Sequence, residues 1–145
     1  LPSRTSDGPT TPARFQGRVL VVEDNALNQR IAVRLLERHG LCADVAANGA
    51  EALVAVERAD YQLVLMDCHM PVMDGFEATR RLRERESTRS VERLPIVALS
   101  AGLRPEDRKR CLEQGMDEFL SKPFPLAALE RVLQRFLARE PARES

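Results

Sequence analysis

The chain has 145 residues, 43% hydrophobic and 30% charged, with 22 basic and 22 acidic side chains. That length and composition fit one globular domain with a real core, and the zero net charge argues against direct nucleic-acid binding or membrane contact by this segment. Cys42, Cys68 and Cys111 are odd in number and lack CxxC spacing, so a disulfide framework and a zinc site are disfavoured and a reducing, cytoplasmic setting is expected.

Leu1 to Gln16 is rich in Pro, Ser and Thr and reads as a flexible linker, with Pro9 and Pro12 as spacer. No run approaches a membrane span and no signal-peptide pattern is present. The start at Leu1 suggests excision from a longer chain, whose own membrane anchoring would lie elsewhere. A domain is expected over 17–138 and a tail over 139–145.

Val19 to Val22 is a short apolar strand ended by Glu23-Asp24-Asn25. Leu27, Ile31, Ala32, Leu35 and Leu36 then share one helical face, with Gly40 placed to end that helix. His39, just before it, suits the negative end of the helix dipole and is given no other role. Cys42 to Ala46 is a weaker strand, Asn48-Gly49 a turn, and Ala50 to Arg58 a helix with Leu53, Val54 and Val56 partly buried. Gln62 to Met66 is the third strand, and a helix follows from about Phe76 to Arg85, with Asp74-Gly75 turning into it. Ser87 to Ser90 reads as part of a long loop before strand Ile96 to Leu99. Pro105-Glu106-Asp107 starts a helix that stops near Gly115. Glu118 to Ser121 is the fifth strand. Leu126, Leu129, Val132, Leu133, Phe136 and Leu137 mark a final amphipathic helix, with Arg131, Arg135 and Arg139 on its solvated face. Five strands alternating with five helices imply parallel strands, right-handed crossovers and a three-layer α/β fold.

Such a frame puts Asp24, Asp67, Ser100 and Lys122 at the carboxyl ends of four parallel strands, the edge where open α/β sheets bind ligands. All but two of the 22 basic residues are arginine, the exceptions being Lys109 and Lys122, so a lysine at that edge is conspicuous. Asp67 ends an apolar run, and an unpaired charge taken out of water costs several kcal/mol. Glu23, Asp24 and Asp67 together would repel without a cation, and a small hard ion such as Mg2+ suits carboxylates and water. Carboxylates, a lysine, a hydroxyl and a hard cation describe a place to hold a phosphoryl group on Asp67.

Val19 to Asn25, Leu65 to Gly75, Ala98 to Ala101 and Phe119 to Phe124 resemble, in order and spacing, the signature blocks of the response-regulator receiver domain. The resemblance covers about Arg18 to Leu137. It implies a flavodoxin-like (βα)5 fold with strand order 2-1-3-4-5. It also implies Asp67 as phospho-acceptor, Asp24 and Glu23 as Mg2+ ligands and the His69 backbone carbonyl as a further one. Ser100 and Phe119 become the switch pair, Lys122 the phosphate contact, and Pro123 follows it through a cis bond. Ser100 stands where threonine is commoner and Gly102 where larger residues are frequent, leaving the phosphoryl lifetime open.

Glu23 to Gln29 and the Arg85 to Arg93 loop look most like receivers of hybrid sensor kinases. Implied partners are a histidine kinase or a histidine phosphotransfer domain, and a homodimer through the last helix remains open. The alternatives are a stand-alone regulator and a pseudo-receiver that acts through interaction alone. An aspartyl phosphatase of the haloacid-dehalogenase type would want an acid two residues after the nucleophile, where this chain has His69.

Overall fold

The computed structural model describes residues 14–101, 105–123 and 125–137. Ten elements alternate along the chain: β1 (Arg18–Val22), α1 (Ala26–Arg38), β2 (Cys42–Ala46), α2 (Gly49–Arg58), β3 (Leu63–Asp67), α3 (Gly75–Arg89), β4 (Ile96–Ala101), α4 (Pro105–Glu113), β5 (Glu118–Lys122) and α5 (Leu126–Phe136). All four strand pairings are parallel and the sheet order is β2-β1-β3-β4-β5. The expected fold class is therefore present.

Side-chain alternation divides the sheet between two cores. Val19, Val21, Leu63, Leu65, Val97, Leu99 and Leu120 point to one face and meet Ala32 and Leu36 of α1 with Leu129, Val132 and Leu133 of α5. Leu20, Val22, Val64, Met66, Ile96 and Ala98 point to the other, against Ala52 and Leu53 of α2, Phe76, Ala78 and Leu82 of α3 and Cys111 of α4. Central strands buried on both faces explain why β3 reads as an unbroken apolar run. Met66 is fully buried, and Met70 and Met73 pack against the second core, as residues for packing rather than ligation.

Three helices, α1, α2 and α3, start on side-chain caps, while α5 starts after Pro125 without one. Asn25, Asn48 and Asp74 each accept a hydrogen bond from a main-chain N–H three residues on, at 3.0, 2.9 and 2.9 Å.

Several local expectations are corrected. The third helix does not stop at Arg85; it runs to Arg89, so Ser87 to Arg89 are helical and the loop before β4 is short. The Arg83–Glu86 pair within the helix and the Arg89–Glu57 pair across to α2 support the extension, and Ser90 ends it in the left-handed conformation at φ 54°. Arg83 also donates to the Leu94 and Gly115 carbonyls and pairs with Asp117 at 2.8 Å, tying the middle of α3 to the segments that lead into β4 and β5.

On α1 only Ala32 and Leu36 are buried, while Leu27 and Ile31 are 57% and 49% exposed. Val54 is likewise exposed on α2. His39 stands at the C-terminal end of α1 as expected. Its ring is fully buried, with Nδ1 2.7 Å from the Leu35 carbonyl and Nε2 2.9 Å from Glu130 Oε2, and it bridges α1 to α5.

The linker expectation fails at Phe15, which is 1% exposed in the first core and donates its N–H to the His39 carbonyl at 2.7 Å. Pro9, Pro12, Gly102, Arg139 and the 139–145 tail lie outside the described residues. Arg135 is exposed but engaged, pairing with Glu118 at 2.6 Å.

Candidate functional site

Strand register brings the singled-out residues to one edge. Val22 pairs with Met66, Asp67 with Leu99, Ser100 with Ser121 and Ala101 with Lys122. Asp67 and Lys122 are the last residues of their strands, Ser100 the penultimate residue of β4, and Glu23-Asp24 the first residues beyond β1. The sheet, not sequence proximity, gathers them.

Glu23, Asp67 and Ser100 are 2%, 5% and 3% exposed, whereas Asp24 is open to solvent. One carboxylate oxygen from each of Glu23, Asp24 and Asp67 lies within 4.8 Å of the others. Lys122 Nζ bridges two of them, 3.0 Å from Glu23 Oε1 and 3.1 Å from Asp67 Oδ2. Burial works against the lysine's charge, but the hydrogen bond to Glu23 and the charge of Asp67 hold its ammonium above the ordinary value. One lysine against three carboxylates leaves the cluster short of positive charge. Its donor set, all hard oxygens with one side wet, suits a Mg2+ ion that keeps some of its water.

Asp67 is held at both oxygens, since Oδ1 accepts the His69 N–H at 3.1 Å while Oδ2 faces Lys122. The His69 ring meets the Phe76 ring edge-on, with centroids 5.9 Å apart.

Gly75 explains the Asp-Gly that follows the acceptor. A Cβ there would drive into the Asp67 main-chain carbonyl and sit 2.9 Å from Met66 Cγ, so α3 can start this close to the strand end only without a side chain. Its N–H donates to the Cys68 carbonyl at 3.1 Å.

Phe119 stands on β5 three residues before Lys122. It pairs with Ala98, packs half-buried against the second core, and carries the Arg108 guanidinium 4.1 Å above its ring. The Lys122–Pro123 bond is cis. Cys68 and Cys111 are buried, and burial first, with each thiol beside the other, pushes the Cys68 thiol far up, so neither is a nucleophile.

Sequence reasoning missed three participants. Gln29 donates through Nε2 to the Glu23 carbonyl at 2.6 Å, and the Asn25 N–H reaches Glu23 Oε2 at 3.2 Å. Arg110 stacks on Phe76 at 3.9 Å and joins α4 to α3 behind the site. A polar residue on the exposed-looking start of a helix carries no pattern that would mark it. Only the path of the chain after β1 does.

Comparison with known proteins agrees with this geometry. The family model described as the response regulator receiver domain matches residues 19–134. Hybrid signal transduction histidine kinase B of Dictyostelium discoideum is 46% identical over 115 residues, covering 74% of this chain and 6% of that protein. Histidine kinase 5 of Arabidopsis thaliana is 37% identical over 143 residues, 83% of this chain and 16% of that protein. The chain thus spans a small fraction of the curated relatives it matches.

Among solved structures, the receiver domain of a Pseudomonas aeruginosa sensor histidine kinase is 42% identical with a TM-score of 0.74, covering 83% of this chain and 97% of that one. It holds a magnesium ion coordinated in its active-site cleft. A Saccharomyces cerevisiae receiver domain, co-crystallised with a histidine phosphotransfer signalling protein, is 30% identical with a TM-score of 0.80, covering 88% and 91%.

Proposed function

The chain belongs to the response regulator receiver family, and from that premise we propose that it is a phosphoryl-accepting switch modified on Asp67 in the presence of Mg2+. The observation that carries this reading is the meeting of three carboxylates within 4.8 Å, two of them bridged by Lys122. An Asp67 oxygen attacks the phosphorus of a phosphohistidine donor; the P–N bond breaks, a P–O bond forms and the imidazole leaves with the electron pair. Lys122 is at hand for the added negative charge on the phosphoryl oxygens, and the His69 N–H steadies the carboxylate. The metal, held by Glu23, Asp24 and Asp67 with the His69 carbonyl, would supply charge neutralisation for in-line transfer. Ser100 offers its hydroxyl to the phosphoryl group and, with Phe119, converts the modification into a surface change.

The donor and acceptor partners in this reading are a histidine kinase and a histidine phosphotransfer protein, and the domain works in the cytoplasm as the receiver of a hybrid kinase. Support comes from the hybrid-kinase relatives and from α1. Leu27 and Ile31, four residues apart and exposed, form an apolar strip directly after Asp24, suited to an apolar helical partner that must bring a histidine to Asp67.

The test is intact-mass spectrometry of the chain with acetyl phosphate, with and without Mg2+. A Mg2+-dependent gain of one phosphoryl group that Asp67→Asn abolishes is the expected result. No gain under either condition leaves an interaction-only receiver, and an undiminished gain in Asp67→Asn moves the acceptor elsewhere.

A further inference from the structure

Gln29 sits near the start of α1, and its side-chain amide spans 2.6 Å to the main-chain carbonyl of Glu23. That carbonyl belongs to the peptide joining Glu23 to Asp24, the two acids that the end of β1 contributes to the carboxylate cluster. A peptide unit is planar, so holding its oxygen sets the orientation of the plane, and with it the direction in which the Asp24 Cα and side chain depart.

The other restraints at this corner fall on Glu23 and on the Asp24–Asn25 peptide, whose N–H the Glu23 carboxylate holds, and leave the Glu23 carbonyl to Gln29. The N–H of Glu23 donates to the Ala46 carbonyl at 3.0 Å, and its carboxylate takes the Asn25 N–H at 3.2 Å and Lys122 Nζ at 3.0 Å. Asp24 is exposed and lies beyond Val22, where the sheet register of β1 ends. Neither packing nor the strand ladder orients it.

A helix-capping role does not account for Gln29. Asn25 already caps α1 by accepting from the Asn28 N–H at 3.0 Å, and the Gln29 main-chain N–H has its own bond to the Asn25 carbonyl at 2.9 Å. The side-chain amide is spent on the peptide between the two acids.

We propose that Gln29 is a positioning residue for the cation site, fixing the Glu23–Asp24 peptide plane so that the exposed Asp24 carboxylate converges with Asp67. The inference rests on the reading of the carboxylate cluster as a Mg2+ site. Residues that orient metal ligands typically change metal affinity by about tenfold or more when removed, and the role is on affinity, not on the phosphoryl step itself.

The experiment uses the full chain and Gln29→Met, which keeps the length of the side chain and good helix propensity but has no donor. Mg2+ affinity is read by calorimetry, and acetyl phosphate labelling is followed across a Mg2+ series. Expected are a half-saturating Mg2+ concentration raised about tenfold, a labelling rate at saturating Mg2+ close to the native one, and a melting temperature in EDTA lowered by only a few degrees, about one neutral hydrogen bond. A role limited to holding α1 would move the EDTA melting temperature and leave the Mg2+ dependence alone, which overturns the proposal. Should the methionine variant misfold, Gln29→Ala carries the same readouts. A native chain that takes up no Mg2+ sinks the cation reading, and this inference with it; a native chain that binds Mg2+ beside a variant that binds equally well sinks this inference only.

Discussion

Gly75→Ala should damage both the fold and the site, for one geometric reason. The added Cβ would overlap the Asp67 carbonyl oxygen and lie 3.0 Å from the Asp67 carbonyl carbon and 2.9 Å from Met66 Cγ. Two of these three neighbours are main-chain atoms of a strand paired on both sides, with β1 and β4, so they cannot rotate away as a flexible side chain would. Forcing one extra carbon into a filled space costs about 1–3 kcal/mol, and the main-chain contact favours the upper part of that range. Alanine's helix preference returns at most about 1 kcal/mol at the start of α3. The net loss is about 2 kcal/mol, or about 8 °C of melting temperature for a domain of this size. The same push moves the acceptor, and a displacement of about 1 Å in a reacting group can cost about a hundredfold in rate. Thermal unfolding and a time course of acetyl phosphate labelling read the two effects separately. Gly49→Ala is the comparison, because its Cβ would sit 2.7 Å from the Met73 carbonyl oxygen and 2.9 Å from Ala78 Cβ, against the α2–α3 packing and away from Asp67. It should lower stability and leave labelling of the folded protein near native. A Gly75→Ala protein that melts within about 2 °C of native and labels at the native rate would refute the close-approach argument.

Leu27→Glu and Ile31→Glu should leave labelling by acetyl phosphate intact and slow phosphoryl transfer from a histidine phosphotransfer protein at least tenfold, about 1.4 kcal/mol or more, as followed by radiolabel exchange; equal rates would remove α1 as the docking surface. Thr79 Oγ1 is buried with no hydrogen-bond partner among the described residues, so Thr79→Val should raise stability by about 1 kcal/mol in urea unfolding, and a loss of that size would mean the hydroxyl has a partner. Arg83→Ala opens the part-buried network with Asp117, Glu86 and two carbonyls and should cost about 3 kcal/mol, whereas Arg80→Ala, on the exposed side of α3, should cost about 0.5 kcal/mol or less. Tyr61 is the one tyrosine of a chain without tryptophan, and burial first, then its 2.7 Å hydrogen bond to Asp44, raises its phenol to about 12. The folded pKa exceeds the unfolded one, so the contribution of this group is full below about pH 10 and is lost as pH rises toward 12. Tyrosinate absorbance should show the late titration, and Asp44→Asn should bring it earlier; a titration at the ordinary tyrosine value in the folded chain would contradict the buried pairing.

The site was far more legible in the sequence than many of its supports. Asp24, Asp67, Ser100 and Lys122 could be brought together because parallel strands put all their carboxyl ends on one edge, a constraint that needs only element order and direction. Element order survived even where boundaries did not, as in α3. There a run of Arg, Glu, Ser and Thr looked like loop because it has little apolar content, and its helix is held instead by ion pairs and by Arg83 reaching across to Gly115 and Leu94. The ring contact of His39 escaped notice for a related reason: its half-buried partner, Glu130, lies 91 residues away, and no local pattern announces a contact of that separation. Gln29 is the same difficulty at short range, since its partner is a main-chain carbonyl that every residue possesses.

The failure on α1 is the most informative. Five apolar residues at helical spacing predicted a stripe facing the core, yet the core accepts Ala32 and Leu36 fully and leaves Leu27 and Ile31 outside. A helix packed on one face of a sheet needs an apolar arc wide enough for that face and no wider. Apolar area beyond that arc gains nothing from folding and lowers solubility, so its position asks for another explanation. The surplus here lies in the first turns of α1, on the helix that begins two residues after Asp24, and not at the far end where His39 is buried. An amphipathic stripe that is too wide, and too wide only near the acidic cluster, combines two signals in one helix: the inner part belongs to the fold, and the outer part is the surface that the Leu27→Glu and Ile31→Glu variants test. Separating them requires the burial of each residue, which periodicity alone does not contain.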